Sequence, residues 1–234
     1  MKLLALDTSS EFLSLALQLG DSVFTHYQKA GNASSELVLP QIQALLSSAN
    51  IKLSDLDGIA FGAGPGAFTG VRIACGVAQG LGFGANIPLV GINTLLAVAQ
   101  ASGEDKVIVC LDARMGEIYH AVFVKEKDSW NEISATKVRK PEAAPILPLR
   151  ASLGMSWVGV GSGWAVYGEI LSSLYAKNLI QTNANITPTA EAILQLAMPI
   201  FVAGEAKPAS EAMPNYIRNR VALTSAEREA GQRL

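Results

Sequence analysis

The sequence predicts an α/β fold in which one structural unit occurs twice. An apolar strand ends at Asp7, and a second apolar strand further along the chain ends at Asp112. Each strand is followed by a hairpin turn that contains a glutamate, Glu11 or Glu117. Later in each half, a strand runs into a glycine turn that opens into a helix. We interpret this order as a duplication; chance similarity between short apolar strands is the alternative.

The composition limits the class of protein. A chain of 234 residues can form one large or two small domains. The net charge is −2 and there is no basic run. The chain therefore lacks the positively charged surface of a protein that binds nucleic acid on its own. The only two cysteines, Cys75 and Cys110, lack CxxC spacing and indicate a reducing compartment. We find no signal peptide and no apolar run of ~20 residues, so we expect a cytoplasmic protein without membrane contact.

In the first half, alternation of apolar and polar residues predicts an antiparallel meander of strands. A helix follows with Pro40 inside its pattern, where either the first turn is distorted or the regular helix begins. Thr69 is the expected N-cap of the next helix, with Phe68 stapled against Ile73, and Asn93 is expected to cap a third. In order, these are strands at 2–6, 12–19 and 23–28, a helix at 37–49, a strand at 58–61, a helix from 70 to about 84, a strand at 88–92 and a helix to about 101.

The second half repeats this order. Strands are predicted at 109–112 and 119–124, then a proline-rich connection at 141–148, a strand at 157–160 and a helix from 164 to about 175. Pro188 is expected to open a late helix to Ala203, and the end from Glu227 onward to be polar and frayed. We therefore predict an N-terminal domain over 1–102, completed by the late helix near 188–203, a second domain over 103–187 and a tail over 204–234.

The helix after the first glycine turn carries glycines four residues apart, at Gly76, Gly80 and Gly84. Each glycine inside a helix costs roughly 1 kcal/mol relative to alanine, so a compensating role is expected. At this spacing the three fall on one face, where another backbone could come very close. The pattern indicates an interface at least as strongly as a ligand site.

The first turn and the glycine turn are the candidate ligand site. Asp7, Thr8 and Ser9 offer hydroxyls, backbone N–H groups and a carboxylate that could contact a hydrated metal ion. Gly64 and Gly66 would let backbone N–H groups approach a phosphate. These residues would form a weak site for ATP, ADP or Mg²⁺. The alternative is that the Asp7 side chain merely closes the hairpin by bonding its own backbone.

Catalytic and metal constellations are not recognisable in the sequence. The only histidines, His26 and His120, lie in predicted strands without a second ligand at metal spacing. The glycine turn lacks the lysine of a Walker loop, and no nucleophile elbow is present. Asp112 and Arg114 concentrate charge in the second turn, where they could stabilise the turn or take part in catalysis. We predict no catalytic residues and no metal site.

The run from Gly64 to Ala74, GPGAFTGVRIA, resembles the signature of the TsaB family, also called YeaZ. Four further segments match the family in the same order, at residues 6–9, 112–119, 159–164 and 213–219. The resemblance implies a duplicated actin-like, sugar-kinase-like fold of the ASKHA and RNase H-like type with mixed sheets. Ser34 stands where many members have a histidine, and Ala67 replaces a common serine, which weakens the case for ligand binding.

The resemblance also implies a function. Members act in tRNA modification with the related transferase TsaD, the ATPase TsaE and the synthase TsaC, placing a threonylcarbamoyl group on the adenosine 3′ of the anticodon in tRNAs that read codons beginning with A. The resemblance implies that a TsaB family protein is a scaffold that heterodimerises with TsaD and forms a homodimer when alone. It would contact tRNA only through the complex. The implied interface lies on the N-terminal domain helices, here Val71, Arg72, Ile73, Gly76, Val77, Gly80, Leu81 and Gly84.

Two other functions remain open at this stage. An ASKHA-type ATPase or phosphotransferase would use Asp7 and the glycine turn, and its ATP binding would be lost in Asp7→Ala. A protease function has little support, because neither a nucleophile constellation nor a metal-ligand set is recognisable.

Overall fold

The computed structural model describes residues 1–147 and 156–218, which form two five-stranded sheets and the helices around them. The end from Glu227, residue 148 of the proline-rich connection and residue 219 of the last matching segment lie outside the described residues. In chain order the elements are β1 Lys2–Asp7, β2 Phe12–Leu19, β3 Ser22–Lys29, α1 Ser34–Ser48, β4 Gly58–Gly64, α2 Phe68–Ala85, β5 Leu89–Asn93, α3 Thr94–Ser102, β6 Lys106–Arg114, β7 Glu117–Glu126, β8 Ser129–Arg139, β9 Trp157–Val160, α4 Gly163–Leu174, β10 Leu179–Asn183 and α5 Ala190–Val202.

The two sheets have the same topology. Their strand orders are β3-β2-β1-β4-β5 and β8-β7-β6-β9-β10. In each sheet the first three strands in the chain pair antiparallel, and the next two are added parallel. The predicted duplicated α/β fold with mixed sheets is therefore confirmed.

Helices bury both faces of the first sheet. Helices α1 and α2 cover one face in a core that includes Leu4, Leu15 and Phe61. Helix α5, from near the end of the chain, covers the other face with Ile193 and Leu194. Helix α3 packs on β6, β7 and β9, so it connects the two sheets. None of the helices in the described residues is long and apolar enough to cross a membrane.

Several predicted element boundaries were wrong. Strand β4 continues through the first glycines to Gly64, because β5 pairs with it along that length. Helix α2 begins at Phe68 with Ala67 as its N-cap, so Thr69 does not cap it. Phe68 does not staple against Ile73; its ring lies under the Arg72 guanidinium instead. By contrast, the predicted cap at Asn93 is confirmed, since its Oδ1 accepts from the backbone N–H groups of Leu95 and Leu96.

Two predicted helix starts, both close to a proline, were wrong. In addition, two strands of the second sheet were not predicted. Helix α1 begins at Ser34 and continues through Pro40, which lies exposed. Helix α5 begins after Thr189, whose side chain caps it, and not at Pro188. Strands β8 and β10 are edge strands with mostly exposed residues, so they lack the apolar alternation that identifies a half-buried strand.

Residues 207–218, which we call the C-terminal strap, run from β5 past α2 and the end of β4 to the second sheet. Lys207 forms a β-bridge with Leu89. The Asn215 N–H donates to the carbonyl of Ala63 at the end of β4 over 2.7 Å. Arg218 then donates to the Ala113 carbonyl at 3.0 Å, and it also pairs with a glutamate of β7. The strap thus contacts the carboxyl ends of strands in both sheets. The domain boundaries at residues 102, 187 and 203 stay predictions.

Candidate functional site

The first turn and the glycine turn pack directly against each other at the carboxyl ends of β1 and β4. A Cβ atom on Gly70 would lie well inside contact distance of the Thr8 carbonyl oxygen, and one on Gly62 would overlap the Asp7 carboxylate. The Thr8 hydroxyl donates to the Gly70 carbonyl over 2.6 Å. These glycines are therefore required for close packing of the chain on itself.

Two backbone N–H groups of the glycine turn have partners within the chain. The Ala67 N–H donates to the Ser9 carbonyl over 2.8 Å, and the Gly64 N–H donates to the Thr94 hydroxyl over 3.1 Å. A Cβ atom on Gly66 would come within 2.6 Å of the Ser9 carbonyl oxygen. A phosphate cradle needs N–H groups that converge on open space. The N–H groups of Gly64 and Ala67 do not meet this condition.

Asp7 is enclosed rather than open to a ligand. Its side chain is fully buried, and its carboxylate accepts hydrogen bonds from the Ser9 N–H at 3.0 Å and the Ser9 hydroxyl at 2.9 Å. Burial raises the pKa of Asp7 to about 6, with the Ser9 hydrogen bonds opposing the rise. No group of three or more metal-ligating side chains occurs in residues 1–147 and 156–218. The Asp7 carboxylate, enclosed in this way, is not open to a nucleotide phosphate or to Mg²⁺.

The buried Asp7 carboxyl should make stability fall as the pH rises through its folded-state pKa. Because that pKa is raised from 3.8 to about 6, the folded state holds a proton that the unfolded state has already lost in this window. Asp7→Asn lacks this titration. The variant's unfolding free energy minus that of the wild type should grow by on the order of 3 kcal/mol between about pH 4 and pH 7. Urea unfolding measured across this range tests the expectation, and a constant difference would contradict it.

In the second sheet, the charged groups of the equivalent turn between β6 and β7 have partners of their own. Arg114 pairs with Asp112 at 3.0 Å, and the Arg114 N–H donates to the same carboxylate at 2.9 Å. Glu117 pairs with Arg218 of the strap at 2.7 Å. Of the two roles left open for Asp112 and Arg114, the geometry favours stabilising the turn.

His120 belongs to the second core. It is fully buried, and its Nε2 lies 2.9 Å from the Tyr175 hydroxyl. Burial, and secondarily the positive charge of Arg139, lowers the pKa of His120 to about 3, so the ring stays neutral at physiological pH. His120 is therefore a packed core residue, not an accessible general base.

The glycines predicted to share one face of α2, namely Gly76, Gly80 and Gly84, lie on the surface. A Cβ atom on Gly76, Gly80 or Gly84 would meet nothing within 4 Å, and all three are exposed along α2. No contact within the described chain offsets the cost of glycine at these positions. We call this strip the open face of α2. It consists of Phe68, Arg72, Gly76, Gly80, Phe83 and Gly84.

The remaining residues of the predicted interface border the open face or lie beneath it. Ile73, Val77 and Leu81 are half-buried against the core shared with α1, so they form its border. Val71, which was predicted to belong to the interface, does not lie on the open face. It is 3% exposed and packs beneath the glycine turn beside Gly64. Helical periodicity directs it inward, opposite to the glycines.

Three exposed aromatic residues on or beside the open face were not predicted to lie at the surface, and Phe68 among them was expected to pack against Ile73. Phe83 is 65% exposed, Phe68 is 46% exposed, and Tyr216 of the strap is 50% exposed. Phe83 could have been found, since it lies three residues after Gly80 and seven after Gly76, on the same side of the helix. Tyr216 could not, because only the fold brings the strap to α2.

Comparison with known proteins gives matches over most of the chain. Residues 25–225 match the family model described as TsaD: tRNA N6-adenosine threonylcarbamoyltransferase. The tRNA threonylcarbamoyladenosine biosynthesis protein TsaB of Escherichia coli is 34% identical over 227 residues, covering 95% of this chain and 96% of that protein. The protein of the same name from Haemophilus influenzae is 37% identical, covering 94% of this chain and 95% of that protein.

Solved structures agree with the sequence matches. A Pseudomonas aeruginosa protein described as similar to peptidase YeaZ superposes with a TM-score of 0.85 at 36% identity, covering 93% of this chain and 99% of that one. YeaZ from Pseudomonas aeruginosa superposes with a TM-score of 0.81 at 35% identity, covering 92% of this chain and 99% of that one. With the duplicated fold and the matching family model, these similarities show that the chain belongs to the TsaB family, also called YeaZ.

Proposed function

We propose that this chain acts in tRNA threonylcarbamoyladenosine synthesis as a non-catalytic scaffold that pairs with TsaD through the open face of α2. The relatives named for this pathway support the process. The observation that supports the mode of action is the strip of glycines that no part of the described chain covers. A helix without side chains on one face lets a partner helix approach at backbone distance, so the strip is suited to helix-on-helix packing.

The residues around the glycines suit a protein interface. Phe68 and Phe83 are exposed aromatic residues at the two ends of the strip, and Arg72 lies between them. Aromatic residues and arginine are the types that contribute most binding energy when an interface desolvates them. Ile73, Val77 and Leu81 add apolar area along one border. We expect the same face to pair two copies of the chain when TsaD is absent, so the homodimer and the heterodimer should compete.

The alternative function as an ATPase or phosphotransferase has weaker support. It requires Asp7 to reach a metal ion or nucleotide, and that carboxylate is enclosed by the glycine turn and bonded to Ser9. It predicts ATP binding that disappears in Asp7→Ala. A protease would need an accessible base, and His120 is buried and bonded to Tyr175.

A reconstituted modification assay tests the proposed function. The reaction contains tRNA, threonine, bicarbonate, ATP, TsaC, TsaD and TsaE, and it is run with and without this chain. We expect threonylcarbamoyladenosine to form only when the chain is present, and none to form with the chain alone. Equal product without the chain would overturn the scaffold role. Product from the chain alone would show a catalytic activity that the proposal denies.

A further inference from the structure

Arg72 is held in a fixed position on the open face of α2. Its guanidinium carbon lies 3.5 Å from the centre of the Phe68 ring and 5.4 Å from the centre of the Tyr216 ring. Its Nε donates to the Tyr216 hydroxyl over 2.7 Å. Phe68 precedes it by one helical turn, and Tyr216 comes from the strap. The exposed arginine is thus ordered before any partner arrives.

Its terminal nitrogens have no acidic partner among residues 1–147 and 156–218. Two other arginines nearby in the fold are paired, Arg114 with Asp112 and Arg218 with Glu117. Among the residues that the structure describes, no carboxylate lies within ion-pair distance of Arg72. The first turn of α2 contains no acidic residue, and the positive end of a helix is an unfavourable place for a cation. Contacts within the chain therefore hold Arg72 without neutralising it.

We propose that Arg72 determines the specificity of the open face by binding a carboxylate side chain of TsaD through its two terminal nitrogens. This inference rests on the proposed function. A planar guanidinium matches a carboxylate with two parallel hydrogen bonds. Because Phe68 and Tyr216 already fix the side chain, less conformational entropy is lost when the pair forms. The pair would fix the register of the partner along a glycine strip that has few polar features of its own.

A carboxylate fits this position better than a tRNA phosphate. Contact with nucleic acid generally draws on several basic side chains that neutralise several phosphates. Here a single unpaired arginine adjoins a strip of glycines and aromatic rings, the nearby arginines are already paired, and the net charge of the chain is −2. Lone charges of this kind at an apolar interface select partners through complementarity.

The test measures the affinity of the full-length chain for TsaD by titration calorimetry at two salt concentrations. Arg72→Gln should weaken binding at least about tenfold and flatten its salt dependence. Arg72→Lys keeps the positive charge but loses the planar guanidinium that forms two parallel hydrogen bonds. Its affinity for TsaD should therefore fall between that of the wild type and that of Arg72→Gln. Arg114→Gln is the matched control, because it removes an exposed arginine of the neighbouring turn that already has a partner, and it should bind like the wild type.

The outcomes separate this inference from the function on which it rests. If the wild-type chain does not bind TsaD, both the scaffold role and the role of Arg72 are overturned. If the wild type binds and Arg72→Gln binds equally well, only the role of Arg72 is overturned. If Arg72→Gln pairs normally with TsaD but the complex binds tRNA more weakly, Arg72 contacts a phosphate. That outcome would also overturn the proposed carboxylate pair. Circular dichroism melting of each variant checks the fold, and a binding loss in Arg72→Gln that Arg72→Lys fully restores would contradict the two-bond geometry.

Discussion

Gly80→Leu is expected to abolish pairing with TsaD while leaving the monomer folded. The position is exposed at the centre of the open face, and an added Cβ meets no atom within 4 Å. The leucine side chain therefore costs the monomer nothing in packing and replaces a poor helix residue with a good one. In the complex, the same side chain would occupy the space that a partner backbone needs. Sedimentation velocity with TsaD and the reconstituted modification assay should both show the loss.

The control is Gly168→Leu, which places the same side chain at an open glycine of α4 in the second domain. It should pair and support modification like the wild type. Gly80→Ala adds a finer test, since it should raise the unfolding free energy by up to about 1 kcal/mol and yet weaken pairing. A Gly80→Leu variant that sediments as an intact complex would show that α2 does not form the interface.

Gly70→Ala is expected to unfold the protein or to lower its stability severely. The added Cβ would overlap the Thr8 carbonyl oxygen, which is backbone and cannot move aside as the end of a long side chain could. Relief would require separating the first turn from the start of α2 and breaking the hydrogen bond from the Thr8 hydroxyl. We expect a loss of roughly 3 kcal/mol or more in the unfolding free energy, comparable to severe overpacking of a core.

Gly76→Ala is the matched comparison, because it lies in the same helix with open space around it. Alanine there should raise the unfolding free energy by about 0.5–1 kcal/mol. Urea unfolding of both variants measures the contrast. If Gly70→Ala were as stable as Gly76→Ala, the close packing of the two turns would be refuted, and the first turn would have room for a ligand.

These glycines indicate where sequence reasoning succeeds and where it stops. Gly62, Gly66 and Gly70 are spaced four apart, as are Gly76, Gly80 and Gly84. The first set packs against the first turn, and the second set faces solvent. Spacing predicted close approach only for the second set, and the neighbour that approaches a glycine depends on which segment the fold places opposite. At Gly66, where the sequence suggested approach to an anion, the close neighbour is the Ser9 carbonyl.

The duplicated fold could be predicted because each half carries its own local signals, a strand ending in aspartate, a hairpin and a glycine turn before a helix. The edge strands could not, since β8 and β10 bury little and so show little apolar pattern. The Arg72–Tyr216 contact joins residues 144 positions apart, and no local pattern records such a pair. Arg72 was placed in the interface from the resemblance, but its aromatic neighbours and its unpaired state come from the fold.

The C-terminal strap determines how the protein can be divided for experiments. Ala209 and Ala212 are buried in the core beneath α2, and the Ala212 carbonyl accepts from the Gln79 side chain at 2.7 Å. A fragment that ended after α5 would retain all ten strands of the described residues. It would nevertheless expose apolar surface beside the open face and leave the Leu89 N–H without its partner. Truncation would therefore damage α2 without changing its sequence. Fragments intended to report on α2 should include residues through 218.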